Sequence, residues 1–287
     1  MDVLSTIVSV AGLVFVVSSM LAMGLSLMAP QIIEPLRSGR LVMVALLVNF
    51  AAVPAIVWGI QQVMDLDQDI YTGLLLMGTA AGAPFLPKLA QVAKGNAAFS
   101  VGMMVLLMVV TVAYLPLVLP LFLPDVTINA WDIARSLIFL MLMPLAIGLL
   151  VKARYSSMAD GLQPHMATAS TLSILVLVVG GVVLQWSSIV SLIGTGGLLA
   201  IIVFILASLL LGYVLGGRDP GIRSVMALGT AQRNLSAAMV VAAQNFSDKP
   251  NVLITVVVAG LIGLVLLIPL GGELGKRTKP ATAQRRA

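Results

Sequence analysis

Two basic residues, Lys88 and Arg233, stand inside stretches otherwise apolar enough to lie in a bilayer, and no Asp or Glu stands in any such stretch. A charge at the bilayer centre costs at least about 2.5 to 3.5 kcal/mol even on the lenient insertion scale, so each is a functional candidate by default. Lys88 closes the run Gly78-Thr79-Ala80-Ala81-Gly82-Ala83-Pro84-Phe85-Leu86-Pro87, whose two prolines cannot sit in an unbroken helix. Arg233 sits in Gly229-Thr230-Ala231-Gln232-Arg233-Asn234-Leu235-Ser236, the densest polar cluster in any apolar stretch. Both runs contain Gly-Thr-Ala. The chemistry on offer is the holding of charge. With no Cys, one His (His165) and no intramembrane acid, there is no nucleophile with its base, no metal cluster and no carboxylate relay, so the chain reads as no enzyme. Arg233 is ten residues from Arg223, about 15 Å by helix rise, which puts it near the midplane. Lys88 is six residues from Lys94, about 9 Å by the same rise, and can instead snorkel to the inner headgroups. Thr79, Thr230, Gln232, Asn234 and Ser236 are the polar neighbours that either complete a binding site or tie helices together.

What must position these residues is a polytopic membrane domain. The chain of 287 residues is 60% hydrophobic and 9% charged, against about 25% charge in soluble proteins. A span needs roughly 20 apolar residues. Val3 to Ile33, Leu41 to Met64, Gly95 to Pro124, Ser136 to Val151 and Pro250 to Gly272 each hold one, and Met166 to Gly217 holds two around a loop at Gln185 to Gly197. The interrupted Ile70 to Ala93 and Arg223 to Phe246 bring the expected number to nine. The N-terminus reads as a retained helix rather than a secretory signal, because Asp2 precedes the apolar run and no Lys or Arg does.

Nine passes put twelve Lys and Arg in loops on one side (Arg37, Arg40, Lys94, Lys152, Arg154, Arg218, Arg223, Lys276, Arg277, Lys279, Arg285 and Arg286) and only Arg135 and Lys249 on the other. The positive-inside rule then places the N-terminus outside and the C-terminus in the cytoplasm, in a bacterial inner or plasma membrane. The same asymmetry explains the net charge of +5 without nucleic acid. Trp58, Trp131 and Trp186 fall near the outer ends of their spans, as an aromatic belt would. Pro54, Pro116, Pro120 and Pro144 read as kinks, and His165 as a solvated residue after a cytoplasmic loop proline. The two interrupted spans are third and eighth and run in opposite directions, the pattern of an inverted repeat whose broken helices cross at a mid-membrane site. The expected organisation is one transporter domain over 1–275, with repeats at about 1–126 and 130–275, and a basic tail over 276–287.

Met23-Gly24-Leu25-Ser26-Leu27, Asn49-Phe50 with Pro54, Gly73 to Gly82, Ala93-Lys94-Gly95-Asn96 with Ser100-Val101, and Gly229 to Phe246 together resemble the bile acid:sodium symporter family, within the wider group of auxin-efflux-type carriers. The resemblance covers nearly the whole chain. It implies inverted repeats, two broken crossing helices, and a panel of helices that rocks against a core, with the first helix of the first repeat missing here. The family's sodium ligands do not all carry over. Pro84-Phe85-Leu86-Pro87 stands where relatives have Thr-Ala-Ser-Asn, Ala227 and Ala231 stand where they have Glu and Gln, and Asn49 replaces a Gln of the second span. If sodium is retained as coupling ion it would sit near Asn49, Gly229 and Gln232.

These readings make the chain a secondary transporter of small organic anions working by alternating access, with an altered or lost sodium site and no resident cofactor. Two roles for Arg233 stay open. It replaces a bound cation, with Gln232 and Asn234 completing its shell, or it binds the anionic group of the substrate, with or without Lys88. A passive anion channel and a sodium-independent exchanger are the alternatives. The expected partners are the substrate and the lipid bilayer, with no oligomeric state implied.

Overall fold

A computed structural model describes residues 3–28, 30, 33, 37–123, 130–184 and 194–277. Among the described residues there are helices and turns and no strand. Apolar composition explains the helices directly, because in lipid a lone segment satisfies its own backbone only by helical bonding. In chain order they are α1 (Val3–Ser26), α2 (Gly39–Met64), α3 (Gln68–Thr79), α4 (Leu86–Val92), α5 (Ala97–Phe122), α6 (130–154), α7 (Ser156–Leu184), α8 (Gly197–Leu215), α9 (Pro220–Ala231), α10 (Leu235–Asn245) and α11 (Pro250–Arg277). Five helices among the described residues are long and apolar enough to cross a membrane: Thr6–Ser26, α2, α5, α8 and Pro250–Lys276.

The interrupted segments are pairs of short helices. At 1.5 Å per residue, the 12-residue α3 and the 12-residue α9 are each about 18 Å long and end within a ~30 Å hydrocarbon layer. Side-chain caps mark the starts. Asp67 accepts from the Asp69 N–H at 2.9 Å before α3, Asn96 from Phe99 at 2.9 Å before α5, and Asp219 from Ile222 at 2.8 Å before α9.

Two full-length helices contain a π-helical turn, Val48–Ala52 in α2 and Ile138–Leu142 in α6. In each, a proline follows six residues after the turn begins, Pro54 and Pro144. Proline has no N–H to give, so the carbonyl four residues back loses its α-helical donor and the helix widens there. Pro116 and Pro120, by contrast, lie within the continuous helix α5.

Packing divides the helices into two groups. One gathers α1, α6 and α7, with α1 and α6 in backbone contact at two glycines: a Cβ on Gly148 would lie 2.8 Å from the Gly24 Cα. The other gathers α2 to α5 and α8 to α11 around the two interrupted segments, and the groups meet where α6 packs on α5 and α10. Ile70 through Thr79 of α3 and Ser224 through Ala231 of α9 are buried along their whole length. Irregular backbone at membrane depth is tolerated only inside such a protein jacket.

One loop expectation needs correction. The helix expected from Met166 begins at Ser156, and Pro164 and His165 are helical and exposed. Pro164 frees the carbonyl of Asp160, which is itself exposed, so water can take the lost bond. Trp58 and Trp131 are exposed, whereas Trp186, most of the Gln185–Gly197 loop and the tail beyond Arg277 lie outside the described residues.

Candidate functional site

The site follows from two helices that stop early. After Thr79 the backbone turns extended at Ala80 (φ −89°, ψ 93°), and after Ala231 it does the same at Gln232 (φ −79°, ψ 112°). Each stop leaves C-terminal carbonyls without the N–H that a continuing helix would bring. Met77 would take the N–H of Ala81, but that group donates to Thr111 Oγ1 at 3.0 Å, while the Thr111 hydroxyl returns a bond to the Ala81 carbonyl at 3.0 Å. Thr230 would take the N–H of Asn234, but that group crosses to the Ala80 carbonyl at 2.9 Å. The extended segments of the two breaks are therefore joined, and the helix-end carbonyls freed at the two stops include those of Met77, Gly78 and Thr230.

Arg233 takes all three. Its Nε donates to Met77 O at 2.9 Å, Nη2 to Gly78 O at 2.6 Å, and Nη1 to Thr230 O at 3.1 Å. Nη1 also donates to Asn49 Oδ1 at 2.7 Å. Four of the five guanidinium N–H groups are thus used, every acceptor is uncharged, and Arg233 is 2% exposed. The planar fork of arginine suits this better than a lysine, whose single ammonium cannot reach divergent acceptors. Two helix C-termini each present roughly half a negative charge, which together approach −1 against one guanidinium.

Asn49 is delivered by the π turn of α2 and is itself fixed, its Nδ2 donating to Ala45 O at 2.9 Å. The carbonyl of its neighbour Phe50, which Pro54 cannot serve, accepts from the Tyr114 hydroxyl at 2.5 Å. Asn234 works on both breaks: Nδ2 donates to Gly82 O at 3.1 Å, and Oδ1 caps α10 by accepting from Ala237 N at 3.1 Å. Gly82 has φ +80°, and a Cβ there would lie 2.6 Å from Met108 Cα. Glycine is required at that position on both counts.

The structure brings together Arg233, Asn49, Asn234 and the carbonyl of Thr230, with Gln232 alongside. Gln232 Oε1, Thr230 Oγ1 and Ser236 Oγ are buried without a hydrogen-bond partner among the described residues. Gln232 and Arg233 border a cavity of about 10 Å³ against Gly260 and Gly263, room for one water-sized group. Thr79 turns away, its hydroxyl bonded to Leu75 O at 2.7 Å. Lys88 lies outside the cluster: it is exposed on α4, with its ammonium 5.8 Å from the centre of the Phe85 ring. Sequence reasoning missed Thr111 and Tyr114, single polar groups in apolar helices whose partners are backbone carbonyls. It also missed Met77 and Gly78, which act through carbonyls that every residue type shares.

The family model described as "Sodium Bile acid symporter family" matches residues 13–192. That region contains α3, Asn49 and Tyr114 but stops short of Arg233. Among curated proteins, the "Uncharacterized sodium-dependent transporter YocS" of Bacillus subtilis (strain 168) is 26% identical over 134 residues. The alignment spans 46% of this chain and 42% of that relative.

Proposed function

Because the chain belongs to the sodium bile acid symporter family, a family of membrane transporters, we propose that it is a secondary transporter of small organic anions in which Arg233 holds the place of a coupling cation. The observation that carries this reading is the set of guanidinium acceptors: three helix-end carbonyls and one amide oxygen at 2.6 to 3.1 Å, with no carboxylate. Neutral oxygens in such a number form a shell suited to a hard monovalent cation, and here a tethered one fills it. The alternative role, direct binding of a substrate anion, draws less support, since one guanidinium N–H remains for it.

The same reading sets the sign of the substrate. With the C-terminal ends of α3 and α9 neutralised by Arg233, the N-terminal ends of the second halves remain at the crossing and favour negative charge. Among the described residues, taking each pair of half-helices as one pass accords with nine passes, of which this reading takes the third and eighth as broken and oppositely directed. An inverted repeat, with the N-terminus outside and the C-terminus in the cytoplasm of an inner or plasma membrane, accords with that order and with the loop cations.

The experiment compares Arg233→Gln with the unaltered protein. Uptake of a panel of labelled organic anions into proteoliposomes is measured with and without a sodium gradient, alongside thermal unfolding in sodium or choline chloride. A tethered cation predicts sodium-independent exchange, abolished by the substitution, and a variant whose melting temperature rises in sodium while that of the parent does not. Sodium-driven accumulation by the parent, as the description of the Bacillus subtilis relative would suggest, or melting of both proteins unmoved by sodium, overturns the substitution of arginine for ion. Trans-stimulated exchange separates a carrier from a passive pore.

A further inference from the structure

The seam between the second break and α11 holds two features that packing alone leaves unexplained. The first is an acceptor. Gln232 is 6% exposed, and its Oε1 is buried without a hydrogen-bond partner among the described residues. The orphaned oxygens of Thr230 and Ser236 belong to hydroxyls that can rotate toward a carbonyl of their own helix. An amide oxygen only accepts, so a donor must come to it. The second feature is a glycine. Gly260 and Gly263 of α11 wall the cavity of about 10 Å³ that Gln232 and Arg233 border. A Cβ on Gly260 would press on Leu235 at 2.9 Å, so close packing accounts for that glycine. A Cβ on Gly263 would meet Gln232 Oε1 at 3.8 Å and Ile205 Cδ1 at 3.9 Å, which are ordinary contacts. The interior of α11 nevertheless carries there the residue that weakens a helix relative to alanine. What the missing methyl group would occupy is the space beside the orphaned oxygen.

We propose that this cavity is a binding site for one ordered water, which donates to Gln232 Oε1 and accepts from Arg233. The guanidinium has one N–H to give, the second of Nη2, since its other four go to Met77, Gly78, Thr230 and Asn49. The volume suits one water and no larger ligand. An acceptor for the other hydrogen of the water is at hand in the Ala231 carbonyl. In an unbroken helix it would take the N–H of Leu235, but that group donates to the Arg233 carbonyl at 3.0 Å, and Ala231 borders the cavity. Three polar partners are the usual complement of a buried water. Gln232 thus completes the shell of Arg233 through the water rather than by contact, as a positioning residue, and the guanidinium keeps no N–H for a substrate anion. Gly263 holds the space open. The assignment rests on this geometry and not on the nature of the cargo.

The test is hydroxyl-radical labelling of the full-length protein in lipid nanodiscs, in which radicals formed from bound water by X-rays oxidise the side chains beside it. Met77 lines the cavity although it is 3% exposed, whereas the fully buried Met226 of α9 does not line it. Met77 should be oxidised several times faster than Met226, and Gly263→Ala, which fills the cavity, should bring Met77 down to the rate of Met226. With Gln232 in place, the same substitution should lower the thermal midpoint by displacing the donor to its amide oxygen. In a Gln232→Leu background it should raise the midpoint, because nothing there needs the water and alanine is the better helix former. Equal rates at Met77 and Met226 in the unaltered protein would overturn the site. So would labelling of Met77 that survives Gly263→Ala, or a midpoint that Gly263→Ala raises while Gln232 is present. Labelling of the unaltered protein depends on no variant folding, and neither readout involves sodium or uptake, so failure here is separable from failure of the Arg233→Gln test.

Discussion

The two interrupted helices carry the same Gly-Thr-Ala trio at their ends and then diverge. The first break, Ala80 to Phe85, has no polar side chain and offers oxygen: the carbonyls of Met77, Gly78, Ala80 and Gly82 all accept bonds from the other segment. The second, Gln232-Arg233-Asn234, supplies the donors. Both stops therefore need not carry their own repair. Orphan carbonyls in a dry interior cost about 1 to 3 kcal/mol each, and one short polar run takes Met77 and Gly78 at one end and Thr230 at the other. The family match covers the accepting half and not the donating half.

Three substitutions test that division of labour. Gly82→Ala asks whether the accepting break tolerates any side chain. Left-handed backbone and collision with Met108 and Met104 O should together cost about 3 kcal/mol, read as a lowered thermal midpoint in detergent. A stable Gly82→Ala protein would mean that the backbone there is freer than the crossing requires. Asn234→Ala removes a donor to the first break and the cap of the last half-helix at once. The expected loss is about 2 kcal/mol, and an effect no larger than that of Asn245→Ala would show that the two breaks are not joined through this residue. Tyr114→Phe should cost about 1 kcal/mol by orphaning the Phe50 carbonyl. Combining it with Pro54→Ala, which restores an N–H within the helix, should recover most of that loss in chemical denaturation, and strictly additive losses would contradict the role given to the Pro54 gap.

How much of this was legible before folding divides along the same line. Charge, proline and glycine are loud in an apolar sequence, so both breaks, Arg233, Gln232 and Asn234 were readable from residue type alone, and Asn49 from the resemblance. Acceptors were not, because a backbone carbonyl looks the same under Met77 as under any other residue. Pro54 and Pro144 were read as kinks, and their effect is a wider turn. Asn49 sits in that turn of α2, and the carbonyl of the next residue, Phe50, is served by Tyr114, 64 positions away. Lys88 shows the converse. Its charge was as conspicuous as that of Arg233, yet its exposed position on the short helix α4 keeps it out of the crossing. Helix α7 began ten residues before the expected Met166 because polarity was taken to end a helix, whereas it ends only the apolar part of one.

The guanidinium of Arg233 also has an electrical consequence. A dissociable coupling ion enters on one side, leaves on the other, and so adds its own charge to each turnover. A cation bonded to the chain makes the return trip with the protein and contributes nothing net. In a carrier of the proposed kind the membrane voltage would act on the substrate's charge alone, about 2.3 kcal/mol per elementary charge per 100 mV, with no ion gradient to offset it.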